Sequence, residues 1–306
     1  MKLARATFLS IKGLPDLTCD FVHPDTGLPL DVAVVTGPAQ SGKTRVLEAL
    51  AVAKDVIAPY DAPPEDGEAF VRDDADSAKI ELTFAIDAEE QRRFGLEATA
   101  FAEALFTSDE VSREADDALV ALLSQYEHAA RAGKIEYFPA SRGLASYVDP
   151  HLFPDDQGSL RTSKSPSKYA FVPAYLATLA KNESEAQRFA TLLGRLCPRL
   201  SYARPERGDP VRCIVAPGRS ACHPKDLSST EVDAVVIAAT ASLIHFERSI
   251  VLIDRPERSA DETSFATWLA GARSLAEDVQ LILASSSPAV IASVDPGAVV
   301  LVGAAE

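Results

Sequence analysis

Residues 37–44 read Gly37-Pro38-Ala39-Gln40-Ser41-Gly42-Lys43-Thr44 and fill every fixed position of the phosphate-binding loop G-x-x-x-x-G-K-[ST]. Such a loop works only between a buried strand and a helix, so its flanks decide whether the match has meaning. Before it, Val32-Ala33-Val34-Val35-Thr36 is a short β-branched run that predicts a buried strand; after it, residues 45–53 predict a helix. In that context the glycines let the backbone wrap a phosphate, while consecutive amides and the helix N-terminus supply partial positive charge. Lys43 is placed to reach the β- and γ-phosphates, and the Thr44 hydroxyl to ligate Mg2+. The octapeptide is therefore the candidate site for a nucleoside triphosphate, ATP with Mg2+. A bare glycine turn between strand and helix is the competing explanation, and the flanks weigh against it.

The rest of the chain points to an α/β fold with a mostly parallel central sheet flanked by helices. Residues 1–21 read as two strands joined at Lys12-Gly13-Leu14-Pro15, the start of an N-terminal antiparallel β region. An acidic, proline-bearing loop over 58–76 leads to a strictly alternating strand at 78–84. Residues 89–131 have a helical pattern, read as two helices broken near Thr107-Ser108-Asp109 with Ser108 capping the second. Residues 135–138 return to strand and stop at Pro139. Residues 143–168, rich in Ser, Pro, Gly and Asp, read as a mobile loop, and 169–200 as an inserted helical lobe. Leu227-Ser228-Ser229-Thr230-Glu231 opens an apolar helix over 232–246. Residues 250–254 form a buried strand ending in Asp254, and 280–284 another that runs into Ser285-Ser286-Ser287-Pro288. These signals organise 1–306 as one domain in three parts: a nucleotide-binding lobe (1–142), a loop and helical lobe (143–226) and a C-terminal part (227–306). Strands separated by helices put the site at the strands' C-terminal ends.

Composition narrows the function classes. Hydrophobic residues at 47% and charged residues at 25% suffice for a substantial core. A net charge of −15 works against a broad electropositive surface, so direct binding to DNA is not expected without a partner. The best basic candidate, Arg161, Lys164 and Lys168, is three charges spread over a Ser-rich stretch and reads as a solvated loop. Cys19, Cys197, Cys213 and Cys222 lack CxxC spacing and histidines at ligand offsets, which argues against a zinc site or a disulfide framework. No secretion-leader core and no apolar run near the roughly 20 residues of a membrane span occur, so a cytoplasmic chain is expected.

Taken in order after the P-loop, the segments 227–231, 250–254 and 280–288 resemble those of ATP-binding-cassette ATPases of the SMC, RecF and OLD type, over nearly the whole chain. Phe138-Pro139-Ala140-Ser141-Arg142 also looks like a strand-end segment of the OLD-like branch. The resemblance implies that Ser228 lies in a signature motif, which contacts the γ-phosphate held by the opposite subunit of an ATP-sandwiched dimer. It implies that Asp254 is the Walker B acid, holding Mg2+ directly or through water. It further implies partnership with a copy of the chain or a related ATPase subunit, a separate effector protein, and a role in DNA maintenance or defence against foreign DNA.

The sequence departs from that pattern where hydrolysis and recognition across the dimer would be served. The family places a glutamate base after the Walker B acid; this chain has Arg255, which cannot accept a proton. Thr230 replaces a signature glycine, Ser286 stands where a switch histidine is expected, and no Q-loop glutamine is evident. Ser228 and Glu231 also satisfy a capping box, which explains them without nucleotide. Asp254 is alternatively a strand-end turn residue, Glu257 a surface acid or a substitute base, and Arg142 a structural ion-pair partner or a phosphate contact. Three functions are open: an ATP-controlled assembly switch with weak or absent hydrolysis, an active ATPase using Glu257, and a P-loop small-molecule kinase. The kinase would need a lid arginine and an acceptor pocket, and has no need of the signature-like segment.

Overall fold

The computed structural model describes residues 1–60, 67–125, 134–144, 160–205 and 211–303. The chain opens with β1 (Lys2–Leu9) and β2 (Leu17–Asp20), and β3 (Val32–Thr36) then delivers the P-loop into α1 (Lys43–Ile57). Next come β4 (Ser77–Ala85), α2 (Ala88–Phe94), β5 (Thr99–Thr107), β6 (Val111–Ala115), α3 (Asp117–Leu123) and β7 (Ile135–Phe138). Helices α4 (Phe171–Leu179) and α5 (Glu183–Leu196) precede a small ribbon, β8 (Ser201–Tyr202) with β9 (Ile214–Val215). The chain then forms α6 (Ser229–Leu243), β10 (Ile250–Asp254), α7 (Phe265–Arg273), β11 (Gln280–Ala284), α8 (Pro288–Ala292) and β12 (Val299–Leu301).

Two five-stranded sheets result. One is antiparallel in the order β2-β1-β4-β5-β6; the other is wholly parallel in the order β12-β3-β11-β10-β7. Every residue of β3, β7, β10 and β11 is buried. Both faces of the parallel sheet are covered, which is why these strands read as unbroken apolar runs rather than alternating ones. Val34, Val251, Ile253 and Leu283 face a core shared with α4, α5, α6 and α7. Ala33, Val35, Leu252 and Ile282 face α1 and the antiparallel sheet. Buried Gln280 ties the sheets together: its side-chain amide donates to the Leu3 and Leu30 carbonyls and its oxygen accepts from the Leu3 amide. Helix α6 is buried along almost its whole length, as a helix with apolar residues on all sides must be. Helices α4 and α5 fall within the expected 169–200 helical stretch, and they pack into the core of the sheet rather than a separate one.

Two expectations are overturned. Among the described residues of 89–131 only α2 and α3 are helical, and between them runs the antiparallel β5–β6 hairpin. Gly95, at φ 72°, ends α2 in the left-handed conformation. Beyond it, Ala100, Ala102, Ala104 and Phe106 alternate into the core, and β5 pairs with β4 along all nine of its residues. That pairing outweighs the modest helix preference of the alanines. Ser108 therefore lies at the hairpin turn, and Asp116 caps α3 by accepting from the Ala118 amide. Residues 126–133 lie outside the described residues.

The second correction concerns the loop over 143–168, of which 145–159 lie outside the described residues. Its end is not a solvated basic stretch. Arg161 and Lys168 are buried against Glu136 on β7, with Lys168 Nζ 2.9 Å from the carboxylate. Lys168 also donates to the Tyr137 and Arg161 carbonyls, and the Tyr137 amide donates to the Arg161 carbonyl at 3.1 Å. This segment thus covers the outer edge of β7, and its charges are spent internally. Of these three basic residues only Lys164 is exposed, and it pairs with Glu48 at 3.1 Å.

Candidate functional site

The parallel register fixes where the functional groups meet. Asp254 lies beside Ala284, and Ala284 beside Val35, so β3, β10 and β11 end at one level. Their C-terminal ends open into a cleft of about 730 Å3 lined by the P-loop, the start of α1, Asp254, Arg255, Glu257 and residues 284–286.

The P-loop has the shape its glycines require. A Cβ on Gly37 would sit 2.1 Å from the Val302 carbonyl oxygen, so the loop can pass the residue that follows β12 only without a side chain there. Gly42, at φ 94°, caps α1 in a conformation that L side chains rarely adopt. Of the octapeptide, Ala39, Gln40, Gly42, Lys43 and Thr44 line the cleft. The Lys43 ammonium arches over the loop and donates to the carbonyls of Gly37 (3.0 Å) and Pro38 (2.6 Å) and to Ser41 Oγ (3.5 Å). Gly37, Pro38 and Ser41 thus shape the loop and position the lysine.

Thr44 and Asp254, 210 residues apart, meet at 3.0 Å, the Thr44 hydroxyl donating to the carboxylate. Burial pushes the Asp254 carboxyl up from its usual range; the bond from Thr44 and the charges of Arg255 and Arg142 oppose that rise. A hydroxyl and a carboxylate, both hard oxygen donors at the mouth of a phosphate loop, suit Mg2+. Among the described residues no cluster of His, Cys, Asp and Glu offers another metal site, and all four cysteines are buried and outside any disulfide.

Arg142 resolves in favour of structure. Its guanidinium is buried and forks onto Asp233 of α6 (2.5 and 3.2 Å). It also donates to the carbonyls of Phe138 (3.3 Å), Pro139 (3.0 Å), Asp254 (2.5 Å) and Arg255 (3.1 Å). One side chain therefore clamps the ends of β7 and β10 to α6. No donor is left over for a phosphate.

Arg255 comes next at φ 50° and ψ 63°, a left-handed conformation costing an L-residue about 1–2 kcal/mol. Its amide donates to the Ala284 carbonyl at 2.9 Å, and its exposed side chain lines the cleft. Glu257, two residues on, also lines the cleft and accepts from Ser285 Oγ at 2.7 Å. Ser286 is exposed at the cleft wall.

Ser228 occupies a different place. It caps α6 in a complete capping box with Glu231, is exposed, and is not among the residues lining its own chain's cleft. The local reading of 228–231 is therefore realised in full, and any nucleotide contact by Ser228 would be to another molecule. The sequence reading missed Ser285, Arg45 and Glu48. Arg45 lies over Phe70 (5.2 Å to the ring centre), pairs with Glu48 at 3.3 Å and donates to the Lys12 carbonyl. Glu48 was findable, because it lies one helical turn after Thr44.

No family model and no curated relative matches this sequence. Solved structures do match its fold. An SMC head bound to the C-terminal winged-helix domain of ScpA is 13% identical, with a TM-score of 0.56 over 96% of this chain and 92% of that one. The SMC head domain from Thermotoga maritima is 14% identical, with a TM-score of 0.51 over 96% and 93%. An SMC head with an extended coiled coil, bound to the C-terminal domain of ScpA derived from Pyrococcus furiosus, is 12% identical, with a TM-score of 0.54 over 96% and 92%. At such identities the likeness is one of fold, and it meets the α/β, P-loop architecture expected from the sequence. Among the described residues no helix is long and apolar enough to cross a membrane.

Proposed function

We propose that this chain is an ATP-binding, ABC-type ATPase-like subunit that acts as a nucleotide-controlled assembly switch, with hydrolysis in its own site slow or absent. The observation that carries the reading is the Thr44–Asp254 bond at the mouth of a formed P-loop, with an arginine directly after the acid. Residues 37–44 hold the phosphates, and Thr44 and Asp254 hold Mg2+. Arg255 cannot take a proton from water, and loss of a positioned base costs about 10²- to 10⁴-fold in rate. Ser286 supplies no charge toward a γ-phosphate.

The switch works because contacts made only in the docked state shift the equilibrium toward it when ATP is bound. Exposed Ser228, at the N-terminus of α6, is the group through which the signature-like segment meets the phosphates of a second subunit, a copy of this chain or a related one. Two of the similar SMC heads are bound to ScpA, which supports a separate effector protein as a further partner. DNA maintenance or defence against foreign DNA, in the cytoplasm and with residues 1–306 acting as one domain, is the setting that the resemblance favours by analogy.

The second reading, an active ATPase, is favoured by Glu257: it lines the cleft and its carboxylate is oriented by Ser285. The test is the mass of the purified chain in MgATP and in MgADP, alone and with products of neighbouring genes, with Lys43→Ala as control. An ATP-dependent increase in mass that Lys43→Ala abolishes is expected. The same mass in every nucleotide state, with every partner tried, would contradict the switch.

A further inference from the structure

We infer that Arg255 is a γ-phosphate ligand of its own chain's cleft and makes the site selective for nucleoside triphosphates over diphosphates. The inference rests on the reading that MgATP binds at residues 37–44. Arg255 stands where a water-activating acid would be needed, and its substitution reads at first as a simple loss. The geometry points to a gain instead.

The other arginines at and behind the cleft are already engaged, and Lys43 belongs to the phosphate loop itself. Lys43 donates to three oxygens of its own loop. Arg45 is held by Glu48 and by the Lys12 and Ala69 carbonyls, with its guanidinium over Phe70. Arg142, behind the strand ends, spends its donors on Asp233 and four carbonyls. Among the described residues lining the cleft, Arg255 is the cation whose side chain has no hydrogen-bond partner there, and it is exposed.

Its backbone, by contrast, is fixed on both sides. The amide donates to the Ala284 carbonyl, the carbonyl accepts from Arg142, and buried Pro256 begins a tight turn. This holds the residue in the left-handed region, where glycine would be unstrained. An arginine at such a position stands there at a conformational cost, and strain of this kind collects at ligand clamps.

The location selects the ligand. Thr44 and Asp254 would hold the metal beside the β- and γ-phosphates of a bound triphosphate, and Arg255, the residue after Asp254, lines the same cleft. A guanidinium fork matches two oxygens of a terminal phosphate, and a diphosphate offers it nothing at that distance along the chain. The same substitution that removes the base thus supplies a reader of the γ-phosphate. A subunit that holds ATP without turning it over needs such a reader.

The experiment is calorimetric or fluorescence titration of MgATP and MgADP into wild type, Arg255→Gly, Arg255→Lys and Lys43→Ala. Glycine removes the guanidinium while relieving the left-handed strain, so its melting temperature in the absence of nucleotide should not fall below wild type. The expected result is roughly 10- to 100-fold weaker MgATP binding in Arg255→Gly with MgADP changed by less than about threefold. Arg255→Lys, with the charge but not the fork, should fall between. An unchanged ATP-to-ADP affinity ratio in Arg255→Gly, with binding abolished in Lys43→Ala, would overturn this inference and leave the nucleotide site standing. A wild-type chain that binds neither nucleotide would overturn both.

Discussion

Replacing Arg142 with methionine separates a structural clamp from a phosphate contact. The side chain is fully buried, and its guanidinium makes two bonds to Asp233 and bonds to four carbonyls at the ends of β7 and β10. Methionine fills much of the volume but leaves the Asp233 carboxylate buried, with Ser259 as its remaining hydrogen-bond donor. Removing one partner of a buried ion pair costs about 3–5 kcal/mol, a large share of the roughly 5–15 kcal/mol that holds a typical chain folded. At about 2–4 °C per kcal/mol for chains nearing this size, the melting temperature should fall by about 6–20 °C. Thermal and urea unfolding of Arg142→Met, Asp233→Asn and the double variant read this directly. The double variant should be less destabilised than the sum of the single ones by about 1–3 kcal/mol, because neither group is then left alone. A melting temperature within about 2 °C of wild type, together with lost ATP affinity, would refute the reasoning and make Arg142 a ligand.

Three further outcomes rest on the same geometry. Gly37→Ala forces a methyl group against the Val302 carbonyl oxygen at 2.1 Å; a loss of about 1–3 kcal/mol in urea unfolding is expected, together with loss of ATP-induced thermal stabilisation. Asp254→Asn should leave the fold intact and remove the Mg2+-dependent part of the ATP-induced melting shift, measured with and without EDTA; an unchanged Mg2+ effect would displace the metal from this acid. Burial lowers Lys168 from 10.5 to about 8, chiefly by desolvation, against the pull of Glu136. The unfolded chain then binds more protons between those values. This residue's contribution is therefore fully present above about 10.5 and lost as the pH falls toward 8. Stability of wild type should rise over that window relative to a Lys168→Met, Glu136→Gln variant, and parallel pH profiles would contradict the burial.

The parts of the fold that could be read in the sequence are those whose signals are local. β3, β10 and β11 were legible because a strand covered on both faces must be apolar throughout, and α1 because a P-loop must lead into a helix. The capping box at Ser228 and Glu231 is spelled within four residues and forms as spelled. The hairpin over β5 and β6 was not legible, since its alanines satisfy a helical pattern equally well until β4 is there to pair with them. The roles of Arg142 and Lys168 depend on Asp233 and Glu136, distant in sequence, so their charges could as easily have been solvated. At the site the octapeptide and Asp254 were legible as motif positions. That Arg255 and not Arg45 has a guanidinium without a hydrogen-bond partner in the cleft has no sequence signal, because it depends on where Glu48 and the Lys12 carbonyl hold Arg45.

The central claim is that this chain grips ATP without consuming it, and one sample tests it. Purified chain is incubated with MgATP, bound nucleotide is identified after rapid desalting, and released phosphate is measured in parallel, with Lys43→Ala and Glu257→Gln alongside. Near-stoichiometric intact ATP on the wild type, none on Lys43→Ala, and phosphate release no greater than that of Lys43→Ala are predicted. Bound ADP with sustained phosphate release at ordinary enzyme rates, about 1 s⁻¹ or faster, lost in both variants, would contradict the claim and establish Glu257 as the base.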